Sequence, residues 1–111
     1  IEIKPDWWKL PALQEKSWLQ VSDVINTHDP YCQGVLLLGL SAPVDFVRES
    51  FAVAAKYPIC KGFTVGRTIF YNPAKQWMQH NISDQELVDS VTTNYIELIQ
   101  SWKKYREGVQ K

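Results

Sequence analysis

Three places in this chain carry residue types that could do chemistry, one by attack on carbonyls and two by binding phosphate. In Asp6-Trp7-Trp8-Lys9-Leu10, strand alternation puts Trp7 and Lys9 on one face and Trp8 and Leu10 on the other. Burial disfavours an ammonium ion, so a lysine in a buried strand is held toward the neutral amine that attacks carbonyls and forms Schiff bases. The same spacing also suits an edge or surface lysine, paired or snorkelling. The second place is Gly39-Leu40-Ser41-Ala42-Pro43, where a strand gives way to a helix. Free N–H groups at a helix start cradle phosphate, and Ser41 reads either as part of that cradle or as a plain N-cap. The third is Gly66-Arg67, a glycine that lets backbone approach a ligand beside a guanidinium that grips phosphate through two N–H groups. A structural salt bridge is the rival role for Arg67.

Other reactive types are sparse. Cys32 and Cys60 lie far from any second Cys or His at metal-ligand spacing, and two thiols make no disulfide scaffold. They read as reduced, mostly buried thiols of a cytoplasmic protein. His28 and His80 read as lone surface histidines. No metal and no cofactor is expected.

These groups need a frame to hold them. The run GVLLLGL at 34–40 is continuously apolar and of strand length, the pattern of a parallel strand covered on both faces. Residues 6–10, between Pro5 and Pro11, form a first strand, and GFTVGRTIF at 62–70 forms a third that runs into a loop. Between them, helical spacing marks 17–27, with Trp18, Val21, Val24 and Ile25 on one side. A second helix spans 44–57, with Val44, Val47, Phe51, Ala54 and Ala55 as its buried stripe. A short helix is expected over 73–80. The last helix opens with the capping box Ser83-Asp84-Gln85-Glu86 and carries Leu87, Val91, Tyr95, Leu98, Trp102 and Tyr105 on one face. Lys103, Lys104 and Arg106 complement its dipole, and Gly108 is the expected stop. Pro30-Tyr31-Cys32-Gln33-Gly34 recurs as Pro58-Ile59-Cys60-Lys61-Gly62, each copy between a helix and a strand. The match marks two equivalent units or a coincidence of short length.

The predicted fold class is therefore α/β, with parallel strands adjacent in chain order and helices outside, joined by right-handed crossovers. At 111 residues the chain holds one domain at most. It is 45% hydrophobic and 13% aromatic, which argues against disorder. Its formal net charge is zero, so neither nucleic acid nor an anionic membrane is an expected partner. No apolar run is long enough to span a bilayer, and the N-terminus lacks a signal-peptide pattern. The chain starts without Met, and a longer parent is expected. Three strands leave two unpaired edges. Either further strands of the parent cover them, or copies self-associate through edges or barrel-facing residues such as Trp7 and Leu37.

Together, PDWWKLP, GVLLLGLSAP and GFTVGRTIF resemble the C-terminal region of the extra domain fused to many bacterial 5-dehydro-2-deoxygluconokinases, enzymes of myo-inositol catabolism. That domain is similar to the class I tagatose-1,6-bisphosphate aldolases, which are (β/α)8 TIM barrels. The resemblance covers nearly the whole chain. It implies that residues 1–111 are the C-terminal three βα units of such a barrel, strands six to eight. It implies a Schiff-base role for Lys9 and phosphate binding by Ser41, Gly66 and Arg67. The implied reaction cleaves 5-dehydro-2-deoxygluconate 6-phosphate to dihydroxyacetone phosphate and malonate semialdehyde. The acidic residue that follows the lysine in the aldolases is replaced here by Leu10-Pro11. The implied partners are a phosphorylated sugar, the rest of the barrel and a fused sugar kinase. A piece of this size is expected to be inactive alone. The alternative is a non-catalytic, degenerate barrel module that binds a sugar phosphate or stabilises the kinase.

Overall fold

Apolar runs separated by helical periodicity do fold here as alternating strands and helices. The computed structural model describes residues 3–110. Its order is β1 (Trp7–Leu10), α1 (Glu15–His28), β2 (Gly34–Leu38), α2 (Val44–Ala54), β3 (Cys60–Thr64), α3 (Arg67–Met78) and α4 (Asp84–Gln110). The three strands form one sheet in the order β1-β2-β3, and both pairings are parallel. Lys9 is in register with Leu36, and Leu36 with Gly62. A bulge between Val35 and Leu36 leaves Lys61 as the extra residue of β3.

One face of this sheet carries the core. Val35 and Leu37 of β2 are fully buried with Trp18 of α1, Val47, Phe51 and Ala54 of α2, Ile69 of α3 and Leu98 of α4. Leu10 and Phe63 join them from the flanking strands. The other face presents Trp7, Lys9, Leu36, Leu38, Gly62 and Thr64, and Leu36 and Leu38 stand outside the core cluster. The expected burial of β2 on both faces is thus corrected: the described helices cover one side only. The same register corrects Leu37, which faces the helices rather than a barrel interior. Leu36 is the residue beside Lys9 on the face opposite the helices.

Helix boundaries bring further corrections. The third strand ends at Thr64, and the second half of 62–70 belongs to α3. Thr68, Ile69 and Phe70 have strand-like propensity, but Gly66 ends the extended run at φ −121° and ψ −74°, and Ile69 is buried one turn into the helix. The expected helix over 73–80 therefore begins at Arg67, with Pro73 in its interior. In α4 the capping box forms: Glu86 N–H donates to Ser83 Oγ at 3.1 Å, and Ser83 N–H donates to Glu86 Oε1 at 3.2 Å. That helix runs through Gly108 to Gln110, so the expected stop is not used. Tyr95, placed on its buried stripe by spacing, is 50% exposed.

The two copies of the short repeat share one contact but not one backbone, since Gly34 alone of the two closing glycines has positive φ. The Cys32 thiol donates to Gly34 C=O and the Cys60 thiol to Gly62 C=O, each at 3.5 Å. Both cysteines are free, Cys32 half-buried and Cys60 buried. Burial pushes the Cys60 thiol up to about 11.

Pro73 explains a contact between α3 and α4. Lacking an N–H, it cannot bond the carbonyl of Ile69 one turn earlier. Asn94 of α4 supplies the missing donor, with Nδ2 2.9 Å from Ile69 O. Asn94→Ala is expected to cost about 1–2 kcal/mol, because it orphans a part-buried carbonyl. In a Pro73→Ala background the cost shrinks, since the restored backbone N–H then reaches Ile69 O. Urea melts of the four proteins measure the coupling; equal costs in both backgrounds would refute it.

Candidate functional site

In a parallel sheet, everything just beyond the strand C-termini collects at one rim. Lys9 is the penultimate residue of β1, Ser41 follows β2, and Gly66-Arg67 follows β3. All three segments therefore sit at the same rim, where open α/β sheets take ligands. Lys9 lies on the sheet face opposite the helix layer, in register with Leu36 and Gly62. It is exposed, as are Ser41, Gly66 and Arg67. Among the described residues no hydrogen bond or ion pair joins these side chains to one another, and Arg67 makes no salt bridge. The structural role weighed for Arg67 is thus absent from the described contacts.

Ser41 corrects an expectation. It does not cap α2: the helix starts at Val44 with Pro43 as its N-cap and no side-chain cap bond. Ser41 instead occupies a tight turn, with φ 52° at Leu40 and φ 64° at Ser41, closed by Ala42 N–H to Gly39 C=O at 3.0 Å. Two successive positive φ values at non-glycine residues are strained. Leu40 is 61% exposed, so no packing compels a leucine there. Leu40→Gly is expected to raise stability by about 0.5–1 kcal/mol, the relieved strain partly offset by the looser unfolded chain. Chemical denaturation checks this; a loss of stability would show that the turn is unstrained.

The β3 loop has a different construction. Gly66 precedes α3, and the N–H groups of Ile69 and Phe70 bond back to Gly66 C=O. The N–H groups of Arg67 and Thr68, in the first turn, have no intrahelical acceptor and point along the positive end of the helix dipole.

Thr68 of this rim escaped the sequence reading, and Gly39, named there within the second place, has a packing role it was not given. A Cβ on Gly39 would lie 2.7 Å from Thr68 Oγ1 and 2.9 Å from Val65 Cγ1, so glycine lets the β2 and β3 loops touch. Thr68 Oγ1 is buried and without a hydrogen-bond partner among the described residues. An isolated glycine at a strand end signals such close approach, whereas nothing in the sequence marked Thr68. His28 and His80 are exposed, as their positions suggested. Among the described residues no group of three or more His, Cys, Asp or Glu is arranged to hold a metal ion. No described helix is long and apolar enough to cross a membrane.

A family model described as an uncharacterized protein conserved in bacteria (DUF2090) matches residues 1–106. No curated protein and no solved structure matches the chain.

Proposed function

The chain belongs to the bacterial DUF2090 family, and on that premise we propose that it forms the last three βα units of a class I aldolase-like TIM barrel acting on 5-dehydro-2-deoxygluconate 6-phosphate. The observation that carries this reading is the position of Lys9. It stands near the C-terminal end of a parallel strand, on the face free of helices, at the rim shared with the Ser41 turn and the start of α3. In a closed barrel that face is the interior, and catalytic groups gather at that rim. The remaining strands then enclose Lys9 and supply the low-polarity surroundings that a Schiff-base amine needs.

The chemistry follows from the residue types. The Lys9 amine adds to the substrate ketone and water leaves, giving an iminium. Breaking the carbon–carbon bond sends its electron pair into that iminium. Malonate semialdehyde departs as the aldehyde product, and the enamine of dihydroxyacetone phosphate remains. Protonation and hydrolysis release the second product and restore the lysine. Ser41 and the Arg67 guanidinium hold the phosphate, aided by the first N–H groups of α3. The base that takes the hydroxyl proton comes from the rest of the barrel. On this reading the partners are those remaining strands and a fused sugar kinase, in the cytoplasm, where free Cys32 and Cys60 stay reduced.

The second reading, a non-catalytic module binding a sugar phosphate or bracing the kinase, is favoured by Leu10-Pro11 standing where the aldolases carry an acidic residue. Borohydride reduction of the full-length protein in the presence of substrate separates the two. The aldolase reading expects a stable adduct on Lys9, lost in Lys9→Ala. With saturating substrate and no adduct, the module reading stands and the aldolase reading falls.

A further inference from the structure

Among the described residues three buried side-chain atoms lack a hydrogen-bond partner: Trp18 Nε1, Asp29 Oδ2 and Thr68 Oγ1. Trp18 is part of the core, and Asp29 stands just ahead of β2, at the N-terminal end of the strands. Thr68 alone of the three lies at the rim of Lys9, Ser41 and Arg67, as the second residue of α3.

A buried hydroxyl without a partner lowers stability, and an apolar side chain of the same shape avoids that cost. Stability therefore does not select threonine here. Its surroundings give another reason. Gly39, buried at the start of the Ser41 turn, comes so close that a Cβ on it would lie 2.7 Å from Thr68 Oγ1. Val65 closes the contact, with Cγ1 2.9 Å from the same point. A hydroxyl oxygen is narrower than a methyl group, and a methyl in its place would overpack this approach.

The turn beyond Gly39 depends on that contact. Leu40 and Ser41 hold positive φ and are exposed, so their own side chains do not fix them. Strained backbone persists only where its surroundings impose it. Here the hold comes from the two ends of the turn: Gly39 against Thr68 and Val65, and part-buried Ala42 packed on the core. Thr68 also directly follows Arg67 in the first turn of α3. One side chain thus sets the distance between the Ser41 turn and the Arg67 turn.

We propose that Thr68 is a positioning residue for phosphate at this rim. Wedged against Gly39, it fixes the Ser41 turn relative to the start of α3, so that the Ser41 hydroxyl and the Arg67 guanidinium meet one phosphate group. It acts through the turn and not by touching phosphate, since its own oxygen is buried. The inference rests on the reading of this rim as a phosphate site. A group shared by two loops is sensitive to their spacing, and a misplacement of about 1 Å costs up to about a hundredfold.

Phenylglyoxal modification of Arg67 in the full-length protein, read by mass spectrometry, tests this with inorganic phosphate as the protecting ligand. Phosphate should protect Arg67. Thr68→Val should raise the half-protecting concentration about tenfold or more, with no lower melting temperature, because an unpartnered hydroxyl is lost. Thr68→Ser keeps the oxygen and should restore the protection. Thr68→Ala leaves the turn unbraced, should weaken protection as well, and decides the matter should Thr68→Val fail to fold. In a Ser41→Ala background the loss from Thr68→Val should shrink to less than about threefold, since the displaced hydroxyl is already gone. Undiminished protection in the deciding variant, an equal loss in Thr68→Ser, or the same loss with and without Ser41 overturns the proposal. So does a failure of phosphate to protect Arg67 at all. Borohydride trapping at Lys9 is read separately. Protection that depends on Thr68 without an adduct removes the aldolase reading alone, and an adduct with protection indifferent to Thr68 removes the positioning role alone.

Discussion

Gly34→Ala should cost about 3 kcal/mol or more, while Gly62→Ala should change stability by less than about 1 kcal/mol. The two glycines close equivalent copies of the same five-residue repeat, so sequence alone ranks them together. Their surroundings differ. Gly34 has φ +145°, a conformation that side chains rarely adopt. A Cβ there would sit 2.9 Å from the Ile59 carbonyl oxygen and 2.6 Å from Lys61 Cγ. The lysine stem can swing away, but that carbonyl accepts the Val35 N–H at 2.8 Å and is fixed by the sheet. Relief would pull β2 from β3 at the bulge. At Gly62 the nearest atom to an added Cβ is Leu36 Cδ2 at 3.9 Å, ordinary contact on the helix-free face. Paired denaturant melts of the two variants give the answer. Equal losses would mean that the bulge does not set the register.

That contrast shows where the sequence was legible. Element order and parallel pairing could be read from Val35-Leu36-Leu37-Leu38 and from the stripes of α2 and α4, because burial and periodicity are written locally. The capping box at Ser83 was legible for the same reason: both partners lie within one turn. What failed depends on through-space context. Continuous apolarity in β2 could not say whether its second face meets helices or other strands, so Leu36 and Leu37 exchanged roles. The strand-like residues of Thr68-Ile69-Phe70 hid the start of α3 behind Gly66. The positions of Lys9, Ser41 and Arg67 at a common rim follow from a parallel sheet alone, whereas Thr68 and Asp29 are visible only when neighbours fail to satisfy them.

Phe51→Ala should cost about 3–5 kcal/mol, a large share of the roughly 5–15 kcal/mol that holds a domain together. Phe51 is fully buried at the junction of three elements. Its ring stacks on Phe63 of β3 at 5.1 Å between centroids and meets Trp102 of α4 edge-on at 5.3 Å. Trp102 in turn carries the Arg106 guanidinium 5.0 Å from its ring centre, and Arg106 bonds the Cys60 carbonyl. One side chain thus ties α2 to the strand that delivers Gly66-Arg67 and to the long helix that clamps the strand's start. Removing it leaves a cavity between layers that cannot collapse without moving β3. Trp102→Ala should also cost several kcal/mol, and the double variant less than the sum, because the singles already share the lost edge-on contact. Thermal or urea unfolding of the three variants measures this coupling. Strict additivity would mean that α2 and α4 are held independently, and that the rim is positioned by the strands alone.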